Sequence, residues 1–60
     1  METRIKELRT AKGMEQQELA KRVGCSYWWI CHVENGKKKP SIALLGRIAE
    51  VLGVQLKDLL

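Results

Sequence analysis

The sequence predicts an all-α fold, a compact bundle of five short helices that forms one domain over residues 1–60. Three observations predict it. Sixty residues allow only one small domain. Apolar residues recur at spacings of three and four, and no stretch shows a strand pattern. Four glycines each close such a segment, as expected of a residue that readily adopts left-handed backbone after a helix. They are Gly13, Gly24, Gly36 and Gly53.

The first two helices are predicted over residues 3–12 and 15–23. Thr3 is a suitable N-cap for the first, and Ile5 and Leu8 begin its apolar face. The second helix ends before a glycine. Its apolar side consists of Leu19, Ala20 and Val23.

Three further helices are predicted over residues 26–35, 41–52 and 55–60. Ser26 and Ser41 are the N-caps of the first two, because a serine hydroxyl can accept a hydrogen bond from the first turn of a helix. The last segment is short and apolar. It either completes the core or meets a second copy of the chain.

The charge of the chain favours a polyanionic partner. Eleven Lys and Arg outweigh seven Asp and Glu, which gives a formal net charge of +4, so nucleic acid is the first candidate. The apolar runs are far shorter than the roughly 18 residues of a membrane span, and no charged leader precedes one. We therefore expect no membrane association and a cytoplasmic location.

Candidate ligands for a metal and candidate catalytic groups are few. Cys25 and Cys31 are too few for a disulfide scaffold, and we interpret both as reduced thiols. Together with His32 they match no zinc-binding pattern. No catalytic triad is evident. The sequence thus predicts no metal, no cofactor, no small-molecule effector and no enzymatic activity.

The second and third predicted helices have the spacing of a helix-turn-helix. They are joined by Gly24 and Cys25, and in this motif the second helix enters the major groove of DNA. At about 100° per residue, Ile30 and Val33 define the buried side of the third helix. The opposite side then carries Trp28, Cys31, His32 and Asn35, with Tyr27 and Trp29 on its flanks.

Several stretches of the chain carry a family resemblance. They are Ile5-Lys6-Glu7-Leu8-Arg9, Gln16-Gln17-Glu18-Leu19-Ala20, Val33-Glu34-Asn35-Gly36 and Ile48-Ala49. Over nearly its whole length the sequence resembles the helix-turn-helix domain of the Cro and phage-repressor type, also called the XRE type, which has the lambda-repressor-like fold. The resemblance implies a transcriptional regulator, expected to be a repressor, that binds double-stranded operator DNA. It also implies a homodimer on an inverted-repeat site.

The resemblance also implies roles for individual residues. Arg9 and Glu34 would form a structural ion pair between the first helix and the end of the third. Phosphate contacts would come from Gln16, Asn35, Lys37, Lys38 and Lys39. Base reading would come from Ser26, Tyr27, Trp28, Cys31 and His32.

The sequence departs from this family in the third helix, where aromatic residues stand in place of polar ones. A second function therefore stays open: a protein-interaction or dimerisation module in which Tyr27, Trp28 and Trp29 form the contact face, with weak or no specific DNA binding. Trp29 could equally be a core residue. Glu15 replaces the family's usual Thr or Ser N-cap.

The candidates for a dimer interface, which could also be plain core, are Val51, Leu56, Leu59 and Leu60.

Overall fold

A computed structural model describes residues 4–59 and contains four α-helices followed by one turn of 3-10 helix. The elements are α1 (Ile5–Ala11), α2 (Gln16–Val23), α3 (Tyr27–Glu34), α4 (Ile42–Leu52) and the C-terminal 3-10 turn (Leu56–Leu59). The predicted all-α class is confirmed, and each of the first four predicted helices lies within two residues of its observed bounds. Thr3, the predicted N-cap of the first helix, lies outside the described residues.

The predicted count of five helices is wrong, because the segment predicted as a helix over 55–60 forms a single 3-10 turn. The described part of this segment adopts the tighter 3-10 geometry that is common in short single turns. The carboxylate of Asp58 accepts a hydrogen bond from the Gln55 amide at 3.0 Å, which caps the turn. The amide of Arg4 donates to the Leu59 carbonyl at 3.1 Å, so the turn lies against the start of α1.

The predicted caps of α3 and α4 are confirmed. The hydroxyl oxygens of Ser26 and Ser41 accept hydrogen bonds, both at 3.1 Å, from the third backbone amide that follows each of them. Gly24 ends α2 at φ 89° and Gly53 ends α4 at φ 70°. Both values lie in the left-handed region that glycine adopts without steric cost.

The core is aliphatic and is shared by every element. Its fully buried members include Ile5 of α1, Leu19 of α2, Ile30 of α3 and Ile48 of α4, and Leu59 of the 3-10 turn joins them. Because α3 contributes Ile30 and Val33 to this core, one side of α3 is fixed and the other is directed outward. Within residues 4–59 no helix is long and apolar enough to cross a membrane.

Candidate nucleic-acid interface

The inner side of α3 is held by a buried ion pair. Arg9 donates from Nε to Glu34 Oε2 at 2.6 Å and from Nη2 to Glu34 Oε1 at 3.1 Å. It also donates from Nη1 to the Met14 carbonyl at 2.6 Å. Both charged residues are only 8% exposed, so the two charges satisfy each other away from water. The pairing that the family resemblance implies is thus present in the structure, and it joins α1 to the end of α3.

Gln16 extends this ion pair to the start of α2. Its Nε2 donates to Glu34 Oε1 at 2.8 Å, and its Oε1 accepts a hydrogen bond from the Cys31 thiol at 3.4 Å. A carboxylate can only accept, so Nε2 must be the atom that faces Glu34. Nε2 carries a second hydrogen, which leaves one donor for a ligand. We call Arg9, Glu34, Gln16 and Cys31 the inner network.

Cys31 lies differently from its predicted position. The spacing places it on the outer side of α3, but the structure leaves it half-buried and turns its thiol toward Gln16 of α2. Its sulfur is therefore engaged inside the helix-turn-helix. The short turn brings α2 within hydrogen-bond distance of α3 and gives the thiol a partner inside the domain, while its part in base reading stays a prediction.

The outer side of α3 presents aromatic rings. Tyr27 is 48% exposed and Trp28 is 54% exposed. The Trp28 ring stacks on the His32 ring with centroids 4.0 Å apart and planes inclined by 30°. His32 Nδ1 lies 2.9 Å from the Trp28 carbonyl oxygen. We call Tyr27, Trp28 and His32 the outer face.

Trp29, in contrast, is half-buried and packs against the core. Of the two interpretations left open for this residue, the structure supports core packing. Only two of the three consecutive aromatic residues therefore belong to the outer face.

Tyr27 of the outer face and the neighbouring Ser26 each carry a hydroxyl group. The pKa of the Tyr27 hydroxyl is raised above its ordinary value of 10.0, chiefly by hydrogen bonding with the Cys31 side chain and then by the charge this thiol carries once ionised. Tyr27 is therefore a neutral phenol at physiological pH. Ser26 is exposed, but its oxygen accepts from the Trp29 amide, so its hydroxyl proton is the group left for a ligand.

Basic and amide groups surround this face. Asn35 and the lysine loop, Lys37 to Lys39, are exposed directly after α3. At the start of α2 the residue in the N-cap position, Glu15, makes no side-chain cap. That side chain therefore leaves the first backbone amides of α2 uncapped, and these amides favour a bound anion. The Glu15 carboxylate has the opposite effect, because it adds negative charge at the same end of the helix.

The C-terminal candidates for a dimer interface have different positions. Leu59 is fully buried within the chain, so of its two interpretations the structure supports core packing. Val51 and Leu56 are half-buried and pack on that core. Leu60 lies outside the described residues.

Metal-ligating residues do not gather in the part of the chain that the structure describes. Residues 4–59 contain no group of three or more His, Cys, Asp or Glu side chains placed to hold an ion. Cys25 and Cys31 are free thiols. Burial raises the pKa of the Cys25 thiol, an effect that the positive charge of Arg47 partly offsets.

Two features of the site were missed by sequence reasoning. The Trp28–His32 stack could have been anticipated, because residues four apart lie on the same side of a helix. The link from Gln16 to both Glu34 and Cys31 had no local signal, since it joins residues 15 and 18 positions apart.

An α2-turn-α3 unit with an exposed aromatic outer face and an adjacent lysine loop defines the class of the protein: a helix-turn-helix domain. A family model described as helix-turn-helix matches residues 5–59. The chain belongs to this family, the Cro/C1 or XRE type of helix-turn-helix transcriptional regulators.

Named relatives agree with this assignment. An uncharacterized HTH-type transcriptional regulator of Archaeoglobus fulgidus is 46% identical over 59 residues, which cover 98% of this chain and 84% of the relative. The ImmF control region 10 kDa protein of Bacillus phage phi105 is 38% identical over 55 residues, with 92% of this chain and 61% of that protein covered.

Solved structures share the fold. The restriction-modification controller protein C.AhdI from Aeromonas hydrophila has a TM-score of 0.91 at 33% identity, over 95% of this chain and 86% of that one. The biofilm regulator SinR, solved in complex with DNA, has a TM-score of 0.85 at 33% identity, over 90% and 87% of the two chains. A chain of the solved SinR–SinI protein complex also has this fold, with a TM-score of 0.89, and the match covers 56% of that chain.

Proposed function

We propose that the chain is a sequence-specific repressor that binds double-stranded DNA as a homodimer and places α3 in the major groove. The observation that carries this proposal is the outer face of α3, whose Trp28 is more than half exposed while the opposite side of the same helix is fixed in the core. An α-helix fits the width of the major groove. Apolar rings on the helix would contact thymine methyl groups, and the Tyr27 hydroxyl would hydrogen-bond with base edges.

Phosphate contacts would set the register of α3. The remaining Nε2 hydrogen of Gln16 lies at the N-terminus of α2, where a helix favours an anion. Asn35 and the lysine loop would contact the backbone on the other side of α3. In support, SinR, which has the same fold, has been solved with DNA bound.

The homodimer would place two copies of α3 on an inverted repeat. Val51 and Leu56 keep part of their surface exposed and are the remaining candidates for its interface. Half-sites about 34 Å apart would then present successive major grooves on one side of the duplex. The repressor role rests on the resemblance to Cro and the phage repressors. The names of the relatives imply a non-enzymatic role.

Fluorescence anisotropy with labelled duplexes tests the proposal. A duplex enriched by binding selection should contain an inverted repeat and should bind at least about tenfold more tightly than a scrambled duplex. The plot of log affinity against log salt has a negative slope, and the magnitude of that slope should decrease by about 0.9 for each phosphate contact removed. When all three loop lysines become Gln, the decrease should reach up to about 2.7. Equal affinity for both duplexes would contradict the proposal.

A protein-interaction module on the same fold is the second candidate. It is favoured by the exposed Trp28, because tryptophan is frequent at the centres of protein interfaces. SinR shows that a protein of this fold can be part of a protein complex. If this function is correct, Trp28→Ala should abolish a protein complex and leave DNA affinity unchanged. The DNA-binding proposal predicts that the same variant loses DNA affinity.

A further inference from the structure

We infer that the Trp28–His32 stack determines specificity, and that His32 Nε2 reads a base that presents an exocyclic amino group in the major groove. This inference rests on the proposed function and deepens it. It assigns the atom that reads, the kind of base edge that is read and the residue that positions the reader.

The tautomer of His32 follows from its backbone contact. Nδ1 lies 2.9 Å from the Trp28 carbonyl oxygen, and a carbonyl oxygen can only accept. In the neutral imidazole the proton is therefore on Nδ1, which leaves Nε2 with a lone pair and no hydrogen. Nε2 is an acceptor in this state.

The same contact fixes the direction of Nε2. The two ring nitrogens of an imidazole point in divergent directions, so a ring whose Nδ1 faces its own helix backbone directs Nε2 away from that backbone. The Trp28 ring covers one face of the imidazole at a centroid distance of 4.0 Å and restricts its rotation. Trp28 is thus a positioning residue for His32, in addition to any contact of its own.

An acceptor that is directed away from the helix backbone selects a hydrogen-bond donor. In the major groove adenine presents N6 and cytosine presents N4 as amino donors, whereas guanine and thymine present acceptors at the equivalent atoms. The strand that carries the donor differs between A·T and T·A and between C·G and G·C. A single fixed acceptor therefore distinguishes each base pair from its reversed form.

The test is a cycle between a protein variant and a base analogue. Binding selection is carried out with the wild type and with His32→Phe, which keeps a ring to stack on Trp28 but has no Nε2. The position whose preference differs between the two selections identifies the base read by His32. That base is then replaced by an analogue without the amino group, purine for adenine or pyrimidin-2-one for cytosine.

We expect the analogue to weaken wild-type binding about three- to tenfold, the range for one neutral hydrogen bond, and to weaken His32→Phe binding less than about twofold. Equal weakening of both proteins, or identical preferences in both selections, would overturn the inference while leaving sequence-specific binding intact. Failure of the wild type to enrich any sequence would instead overturn the proposed function and this inference together.

Trp28 variants and a spectroscopic measurement complete the test. Trp28→Phe should keep the discrimination against the analogue, and Trp28→Ala should lose it, because only the first retains a ring beside the imidazole. Nitrogen-15 shifts of His32 in the wild type should show a protonated Nδ1 and a bare Nε2, independently of how any variant folds. A proton on Nε2 in the neutral ring would contradict the inference.

Discussion

The inner and outer sides of α3 differ in what they contact. On the inner side, Glu34 is 8% exposed and receives hydrogen bonds from Arg9 and Gln16. On the outer side, Tyr27 and Trp28 are about half exposed and contact neighbours within the same helix. Eight residues of helix thus carry a side that stabilises the fold and a side that is available to a ligand.

The difference teaches that stability and binding are separable in α3. A buried, fully bonded charge is costly to leave without its partner, whereas an exposed ring loses little when it is truncated in the free protein. Variants on the inner side should therefore change the free energy of unfolding. Variants on the outer side should change the affinity for DNA.

The largest effect is expected from the buried ion pair. Arg9→Met leaves the Glu34 carboxylate without its main partner and should lower the free energy of unfolding by about 3–5 kcal/mol in urea denaturation. The matched control is Glu18→Gln, which breaks the exposed Glu18–Arg22 pair and should cost under about 1 kcal/mol. Equal losses in the two variants would show that burial does not distinguish the pairs.

The next largest effect compares a variant on the inner side of α3 with one on its outer side. Ile30→Ala removes a fully buried side chain and should lower the free energy of unfolding by about 2–5 kcal/mol. Trp28→Ala should lower it by less than about 1 kcal/mol but should weaken operator binding about tenfold or more. Thermal unfolding and anisotropy on the same samples measure both quantities. A large loss of stability in Trp28→Ala would contradict the assignment of this ring to the outer face.

A smaller effect is expected at the start of α2, where one substitution should increase both the free energy of unfolding and the affinity for DNA. Glu15→Thr supplies a hydroxyl N-cap and should raise the free energy of unfolding by about 1 kcal/mol. It also removes a carboxylate beside the proposed phosphate path, so DNA affinity should increase. Glu15→Gln is the control, because it removes the charge without adding a hydroxyl cap. An unchanged affinity in both variants would place DNA away from this end of α2.

The smallest effect is the pH dependence of stability from Cys25, in the turn between α2 and α3. Burial raises the pKa of this thiol above its ordinary value of 9.0, so the folded chain holds the thiol proton more tightly than the unfolded chain. Its stabilising contribution is complete below pH 9.0 and is lost as pH rises past that value. Urea denaturation from pH 8 to about pH 10 should show a slightly steeper loss in the wild type than in Cys25→Ala. Identical profiles would contradict the burial effect.

Local signals allowed the helices to be predicted, and distant contacts explain what was missed. Ser26, Ser41, Gly24 and Gly53 determine helix ends through their own backbones and nearest neighbours, so α1 to α4 follow from the sequence. The apolar C-terminus had no such signal. Whether Leu59 faces the core or a second copy depends on its docking against Arg4, far away along the chain.

The candidate site shows the same limit. Helical periodicity identified Trp28 as an outward residue, and the half-buried His32 stacks on it. The family resemblance paired Arg9 with Glu34. Periodicity alone could not show that the Cys31 thiol turns toward Gln16, because that contact depends on how closely α2 approaches α3. Tertiary approach, rather than local preference, determines which members of the predicted set are free to bind.

The two tryptophans offer the most direct test of the separation between the sides of α3. Trp29→Phe leaves Trp28 on the outer face as the single tryptophan, and Trp28→Phe leaves Trp29, which packs on the core. On saturation with the selected inverted-repeat duplex, the emission of Trp28 should shift and be quenched while that of Trp29 stays nearly constant. If DNA binds and the emission of Trp28 does not change, the outer face of α3 is not the DNA-binding surface.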